Sequence, residues 1–98
     1  MRITLSAKNI YSLMRRAGYY FEKKEGEQMV FSRPLGSSGS GYPRFHIYVK
    51  EASHETLEAN LHLDQKMPSY EGTAAHAAEY EGEVVEKEAK RIKQLFNP

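Results

Sequence analysis

Histidines and carboxylates that could do chemistry near neutral pH fall into two short groups in this sequence. His62 and Asp64 are two residues apart in an alternating segment, so on a β-strand both side chains point to one face. His76 and Glu79 are three residues apart, which would place them on one face of a helix. Imidazole nitrogens and carboxylate oxygens bind divalent metals, and histidine can act as a general base. The pattern predicts a possible metal-dependent hydrolase, with His46 joining from a neighbouring strand.

Basic and aromatic residues support the function that we expect, a non-enzymatic module that binds RNA or DNA, to which the hydrolase is the alternative. Arginine and lysine neutralise phosphates, and tyrosine stacks on unpaired bases. Base stacking is assigned to Tyr48 or Tyr42. The residues predicted to contact phosphate are Lys23, Lys24, Arg33, Arg44 and Lys50. No RNP, KH or zinc-finger pattern is present, so the type of nucleic acid is left open.

Two alternating segments must position most of these residues. Apolar residues alternate with polar ones through 44–50 and again through 56–64, which predicts two antiparallel strands. Both apolar sets share one face only when paired residue numbers have an even sum. A sum of 106 pairs Val49 with Leu57 and places His46 opposite Asn60. The polar face then carries Arg44, His46, Tyr48, Lys50, Asn60, His62 and Asp64, and we expect it to be open to water.

The remaining segments complete an α+β fold. Apolar spacing at Ile10, Leu13, Met14 and Ala17 predicts a helix that begins after a Ser6 or Asn9 cap and stops at Gly18. A short strand around residues 3–5, strands over 19–24 and 28–33, a flexible linker over 35–41 and a helix over 83–96 are also expected, while residues 65–82 are left unassigned. The prediction is a single domain, residues 1–98, with the order β-α-β-β-β-β-α. It forms a two-layer sandwich in which two helices cover one face of a four- to five-stranded antiparallel sheet.

Composition excludes several classes of protein. The 98 residues contain no cysteine, which rules out disulfides and thiolate zinc sites, and no segment has the apolar length of a membrane span. We therefore expect a soluble, cytoplasmic protein with no membrane partner, and no cofactor is predicted. Residues 1–50 carry a net charge of +6 and residues 51–98 carry −5. These halves can neutralise each other within one chain or pair between chains, which leaves a protein-interaction or homodimer role as a third hypothesis.

The segment from Leu13 to Val49 resembles the first half of HicA-type toxins. The likeness rests on Leu13–Tyr20, on the strand ending Val30-Phe31-Ser32-Arg33-Pro34, and on Phe45-His46-Ile47-Tyr48-Val49. Those toxins are small RNA-cleaving proteins with a double-stranded-RNA-binding-like α+β fold, and their catalytic histidine follows Gly-Ser on the second strand of this unit. Here the matching place has Gly26-Glu27-Gln28, without a histidine. The resemblance therefore implies an RNA-binding-like scaffold rather than the ribonuclease.

Overall fold

A five-stranded antiparallel sheet organises the chain in the computed structural model, which describes residues 1–6, 9–35, 42–65, 78–79 and 82–96. The elements in chain order are β1 (Arg2–Ser6), α1 (Ile10–Arg16), β2 (Tyr20–Glu25), β3 (Gln28–Pro34), β4 (Arg44–Ser53), β5 (Thr56–Asp64), β6 (Ala78–Glu79) and α2 (Glu83–Phe96). In space the strands run β1-β5-β4-β3-β2, and the two-residue β6 also pairs with β5. Because β6 has neither the length nor the alternation of a strand, the sequence did not predict it.

Both helices pack on one face of this sheet. Met14 of α1 and Ile92 of α2 lie in the same buried cluster as Ile47 of β4 and Leu61 of β5. These strand residues belong to the odd-numbered apolar sets of the central strands, so the helices cover the odd-numbered face. The predicted α+β sandwich and its element order are confirmed.

Helix α1 ends as its sequence predicts and begins differently. Gly18 has a φ of +92°, and the amides of Gly18 and Tyr19 donate to the carbonyls of Arg15 and Met14, which closes the helix in a Schellman motif. At the start, Asn9 occupies the cap position in a left-handed conformation, with φ of 53°, and its side chain makes no capping hydrogen bond. The side-chain cap expected from the sequence is therefore wrong for Asn9.

Helix α2 has the predicted bounds but buries an unexpected carboxylate. Its stripe of Val85, Ala89, Ile92 and Phe96 is buried, as the spacing predicts. Val84 and Leu95, the other large apolar residues of α2, are exposed. Glu88 is buried instead. Its carboxylate accepts hydrogen bonds from the Tyr19 hydroxyl at 2.6 Å and from Arg91 at 2.8 and 2.9 Å, and this pairing offsets the cost of burying the charge.

The β4–β5 hairpin has the predicted parity but not the predicted register. Val49 pairs with Ala59 rather than with Leu57, a shift of two residues that makes the sum of 106 wrong. The cause lies at the turn, because β4 continues to Ser53 through residues expected to be a polar turn. Only two residues then connect Ser53 to Thr56, and the residue numbers of this pair have an odd sum. An irregularity between Glu51 and Ser53 restores the even sum, so that Glu51 pairs with Leu57. The extra residue keeps both apolar sets on the helix face.

An irregularity also interrupts the β2–β3 pair. Phe21 lies opposite Phe31, but the next paired residues are Lys23 and Val30, so Glu22 is the extra residue of a β-bulge. A bulge re-aims the side chains beside it and often occurs next to functional sites. Here it directs the Glu22 carboxylate toward β4, where it contacts Arg44.

Charges of the two halves of the chain meet inside the molecule. The Arg2 guanidinium lies 3.3 Å from the Glu58 carboxylate, and Arg33 lies 3.4 Å from Glu88. Both pairs join the basic first half to the acidic second half, which supports neutralisation within one chain. Neither helix described by the structure is long and apolar enough to cross a membrane.

Candidate metal centre

Three of the predicted chemical residues converge on the sheet face opposite the helices. The register places His46 directly opposite His62, and Asp64 follows two residues later on the same face of β5. One ligand atom from each of these residues lies within 4.8 Å of the others. His46 Nδ1 contacts Asp64 Oδ2, and His62 Nε2 lies 3.4 Å from the same oxygen. Three groups of the types that bind divalent metals therefore face one point.

Glu22 is a fourth member of this cluster, and the sequence analysis did not single it out. Its Oε2 atom lies 3.0 Å from His46 Nε2 and 3.3 Å from Arg44 Nη1. His46 is therefore held between two carboxylates, one at each ring nitrogen. Alternation in β2 places Glu22 on the face opposite Phe21, but it does not predict a contact with a strand two positions away in the sheet. The nearest signal in the sequence was that Glu22 is an acidic residue on a predicted strand.

The face that carries this cluster is half-buried rather than fully open to water. His62 is buried, and His46 and Asp64 are only slightly exposed. The His62 ring stacks between neighbours, with ring centroids 5.4 Å from His46 and 5.5 Å from Tyr48. Beneath Glu22, Ser32 is also buried and pairs with His46 across β3 and β4. This packing fixes the orientation of both imidazoles.

The surroundings of His62 and Glu22 favour a neutral imidazole and an ionised carboxylate. Burial lowers the pKa of His62, the charge of His46 lowers it further, and the opposing effect of Asp64 does not restore the usual value. The neutral imidazole, which is the form that binds metal, is therefore favoured at His62. For Glu22, burial alone would raise the pKa, but a hydrogen bond from Ser32 and the neighbouring His46 and Arg44 together lower it. The Glu22 carboxylate is therefore held in its ionised form.

Residues predicted to contact phosphate do not form one surface. Arg33 pairs with Phe45 on the helix face and contacts Glu88, so it lies away from Arg44, Tyr48 and Lys50. That placement corrects the grouping expected from the sequence. Lys23 pairs with Glu25 at 3.6 Å on the exposed edge strand, and Lys24 lies opposite Met29.

The row on the open face also contains acidic charge. Arg44 contacts Glu22, and its guanidinium carbon lies 4.7 Å from the centre of the Tyr42 ring. Lys50 lies opposite Glu58. The row is therefore a mixed polar surface, on which carboxylates already engage part of the basic charge.

The second predicted ligand group is only partly placed. His76 lies outside the described residues. The backbone of Glu79 belongs to β6 and pairs with Leu63, so Glu79 lies in a strand and not in the helix that the spacing of His76 and Glu79 would require.

Comparisons with known proteins give no functional information, so a proposal for function rests on the geometry of the candidate site. No protein-family model matches the chain, and neither a curated protein nor a solved structure matches it.

Proposed function

We propose that this domain is a hydrolase that binds a catalytic divalent metal ion, such as Zn²⁺, through His46, His62 and Asp64. The observation that carries the proposal is the convergence of one ligand atom from each residue to within 4.8 Å. Zinc bonds of about 2.0–2.1 Å in a tetrahedron separate neighbouring ligands by about 3.3 Å. The 3.4 Å between His62 Nε2 and Asp64 Oδ2 is already of that size.

Two histidines and one carboxylate leave a coordination position for water. Catalytic zinc sites use three protein ligands in this way, whereas structural sites fill all four positions with protein groups. A bound divalent ion lowers the pKa of its water and so generates hydroxide near neutral pH. The arrangement therefore suits hydrolysis better than a purely structural role.

Glu22 supports the ligand role of His46. With Nδ1 facing Asp64 and the proposed ion, the opposite ring nitrogen is hydrogen-bonded to Glu22 Oε2 at 3.0 Å. A carboxylate on the far nitrogen fixes the tautomer and orientation of a metal-binding imidazole and raises its basicity.

Arg44 supports an anionic substrate. Its guanidinium lies beside Glu22 at the edge of the cluster, stacked on Tyr42. A guanidinium at this place would favour a substrate with a negative group, such as a phosphodiester, because it and a bound divalent ion would both stabilise the charge that develops during hydrolysis.

Zinc titration followed by histidine NMR tests the metal site. The imidazole signals of His46 and His62 should shift selectively, while His54, an exposed residue of the β4–β5 turn, should not. Asp64→Asn should weaken binding at least tenfold, and His54→Gln is the matched control that removes a histidine outside the cluster. Equal shifts of all histidines, or equal affinities of the two variants, would contradict the site. The same spectra show whether His76 also responds.

Hydrolysis is tested separately with the activated diester bis(p-nitrophenyl) phosphate. Wild-type and His54→Gln proteins should release p-nitrophenol when Zn²⁺ or Mn²⁺ is added. Asp64→Asn should lose about a hundredfold or more of that rate, because it removes an ionised ligand. Tight zinc binding without turnover by the wild-type protein would retain the site and overturn the hydrolase.

A further inference from the structure

An aromatic cleft lies between α1 and the edge strand β2, away from the metal cluster. It encloses about 370 Å³ and is lined in part by Tyr11, Tyr20 and Phe21. These side chains are 54%, 67% and 47% exposed. Large aromatic side chains are usually buried in small domains, and a contiguous exposed group of them marks a binding surface. We propose that this cleft binds single-stranded nucleic acid by stacking an unpaired base.

Ring geometry makes the cleft a rigid platform. Tyr11, Phe21 and Phe31 form a triangle of edge-on contacts, with centroids 5.5 to 5.9 Å apart. Phe31 is buried and belongs to the core, so it anchors the two exposed rings. A base can therefore stack on Tyr11 or Phe21 with little loss of side-chain entropy, and every base offers a π-face for such stacking.

Charge at the cleft favours a phosphate backbone. Arg15 is the one charged residue among the described residues that line it. Arg16 follows on the same exposed helix end, and no described carboxylate is paired with either guanidinium. A cation beside exposed aromatic rings matches a nucleotide, in which a base is joined to a negative phosphate.

Polar groups at the mouth can contact base edges. Asn9 and Ser12 also line the cleft, and the Asn9 side chain is not used to cap α1. An amide and a hydroxyl each offer both donor and acceptor atoms, which suit the Watson–Crick edges of an unpaired base.

A second copy of this chain fits the cleft less well. Pairing of two β2 edges would bring together Lys23, Lys24 and Glu25 from each copy, and charged residues on an edge strand oppose such pairing. The pairing would also bring Arg15 and Arg16 of one copy close to the same positively charged residues of the other copy. These charges favour an anionic strand over self-association.

Fluorescence anisotropy of a labelled eight-nucleotide single strand tests this inference. The titration is done at low salt in EDTA, so that failure of the metal site cannot affect it. Tyr11→Ala should weaken binding roughly tenfold, in line with the effect of removing one stacking contact. Val84→Ala, a truncation of an exposed apolar residue on α2, should leave binding unchanged.

Salt dependence separates stacking from non-specific attraction. Arg15→Gln should lower the slope of log affinity against log salt by about 0.7, the value for one phosphate contact on a single strand. Lys93→Gln, which removes an exposed charge on α2, should leave the slope unchanged. No binding of the oligonucleotide at low salt would overturn the inference. It would also be overturned if Arg15→Gln and Lys93→Gln changed the salt slope equally and Tyr11→Ala left the affinity unchanged. A dimer that Tyr11→Ala dissociates, without oligonucleotide binding, would assign the cleft to self-association instead.

Discussion

At the scale of single residues, the candidate chemistry depends on how His46 is held. Its two ring nitrogens face two carboxylates, Asp64 on β5 and Glu22 on β2. His46, His62 and Asp64 were candidates from residue type and alternation alone. Glu22 was not, because its contact with His46 joins two strands that are not neighbours in the sheet, and Glu22 lies at an irregularity of the β2–β3 register. The sequence thus singled out the three residues of the proposed metal site but not the group that contacts the far nitrogen of His46.

Replacing Glu22 by glutamine should weaken zinc binding without removing a ligand. The amide retains the size of the carboxylate but loses its charge, so His46 loses the charged partner of its far nitrogen, and we expect a loss of about 10- to 100-fold in affinity. Calorimetric titration of Zn²⁺ measures this change. Glu25→Gln, on the same exposed strand, is the matched control. Unchanged affinity of Glu22→Gln would show that Glu22 does not support the site.

At the scale of secondary-structure elements, two irregularities place the chemical groups. The extra residue near the β4–β5 turn keeps the even register and brings His46 opposite His62, and the β2 bulge turns Glu22 toward them. The alternation of the strands predicted the even parity but could not distinguish registers that differ by two residues. That choice depends on turn length, and the strand continued further than its polar residues indicated.

The junction between α1 and β2 is sensitive to a side chain at Gly18. Gly18 and Gly26 both have positive φ, at +92° and +62°, so alanine costs about 1 kcal/mol or more at either position. A Cβ at Gly18 would also lie 3.2 Å from Arg33 Nε, whereas none of the described atoms lies within 4 Å of a Cβ at Gly26. Gly18→Ala should therefore be the more destabilising change in urea unfolding. Equal costs would show that Arg33 moves aside freely.

At the scale of the whole molecule, β2 contributes to both proposed sites. Phe21 lines the aromatic cleft, while the next residue, Glu22, contacts His46 of the proposed metal site. A buried hydrogen-bond and ion-pair network around Glu88 joins the helices to the sheet. Tyr19, Arg33 and Arg91 contact its carboxylate, and Arg91 also donates to the Ala17 carbonyl at 2.6 Å, which links α2 to the end of α1. The positions of α1, β3 and α2 are thereby coupled.

Alkaline unfolding should report on this network. Burial, and next the Glu88 charge, raise the pKa of Tyr19 far above its ordinary value of 10.0. Because the unfolded state then loses its proton first, the stabilisation is present below pH 10 and is lost as pH rises above it. The advantage of wild type over Tyr19→Phe should fall by about 1.4 kcal/mol per pH unit there. Urea unfolding between pH 7 and 11 measures it, with exposed Tyr20→Phe as control. Parallel curves for wild type and Tyr19→Phe would contradict this account.

The sequence by itself determined the two helices, the five longer strands and the faces of the sheet. Period-2 alternation in residues 44–50 and 56–64 and the helical spacing in 83–96 are local properties, because each residue's direction follows from its own backbone. They were sufficient for the α+β sandwich and for placing His46 and His62 on the face opposite the helices.

Only the tertiary structure decided which side chains meet. The pairing of His46 with His62, the approach of Glu22 and the burial of Glu88 against Tyr19 join residues distant in the chain. The physical reason is that such contacts depend on strand register, bulges and helix packing, which the whole molecule fixes together. Alternation limits register only to even steps, and each step changes every cross-strand neighbour.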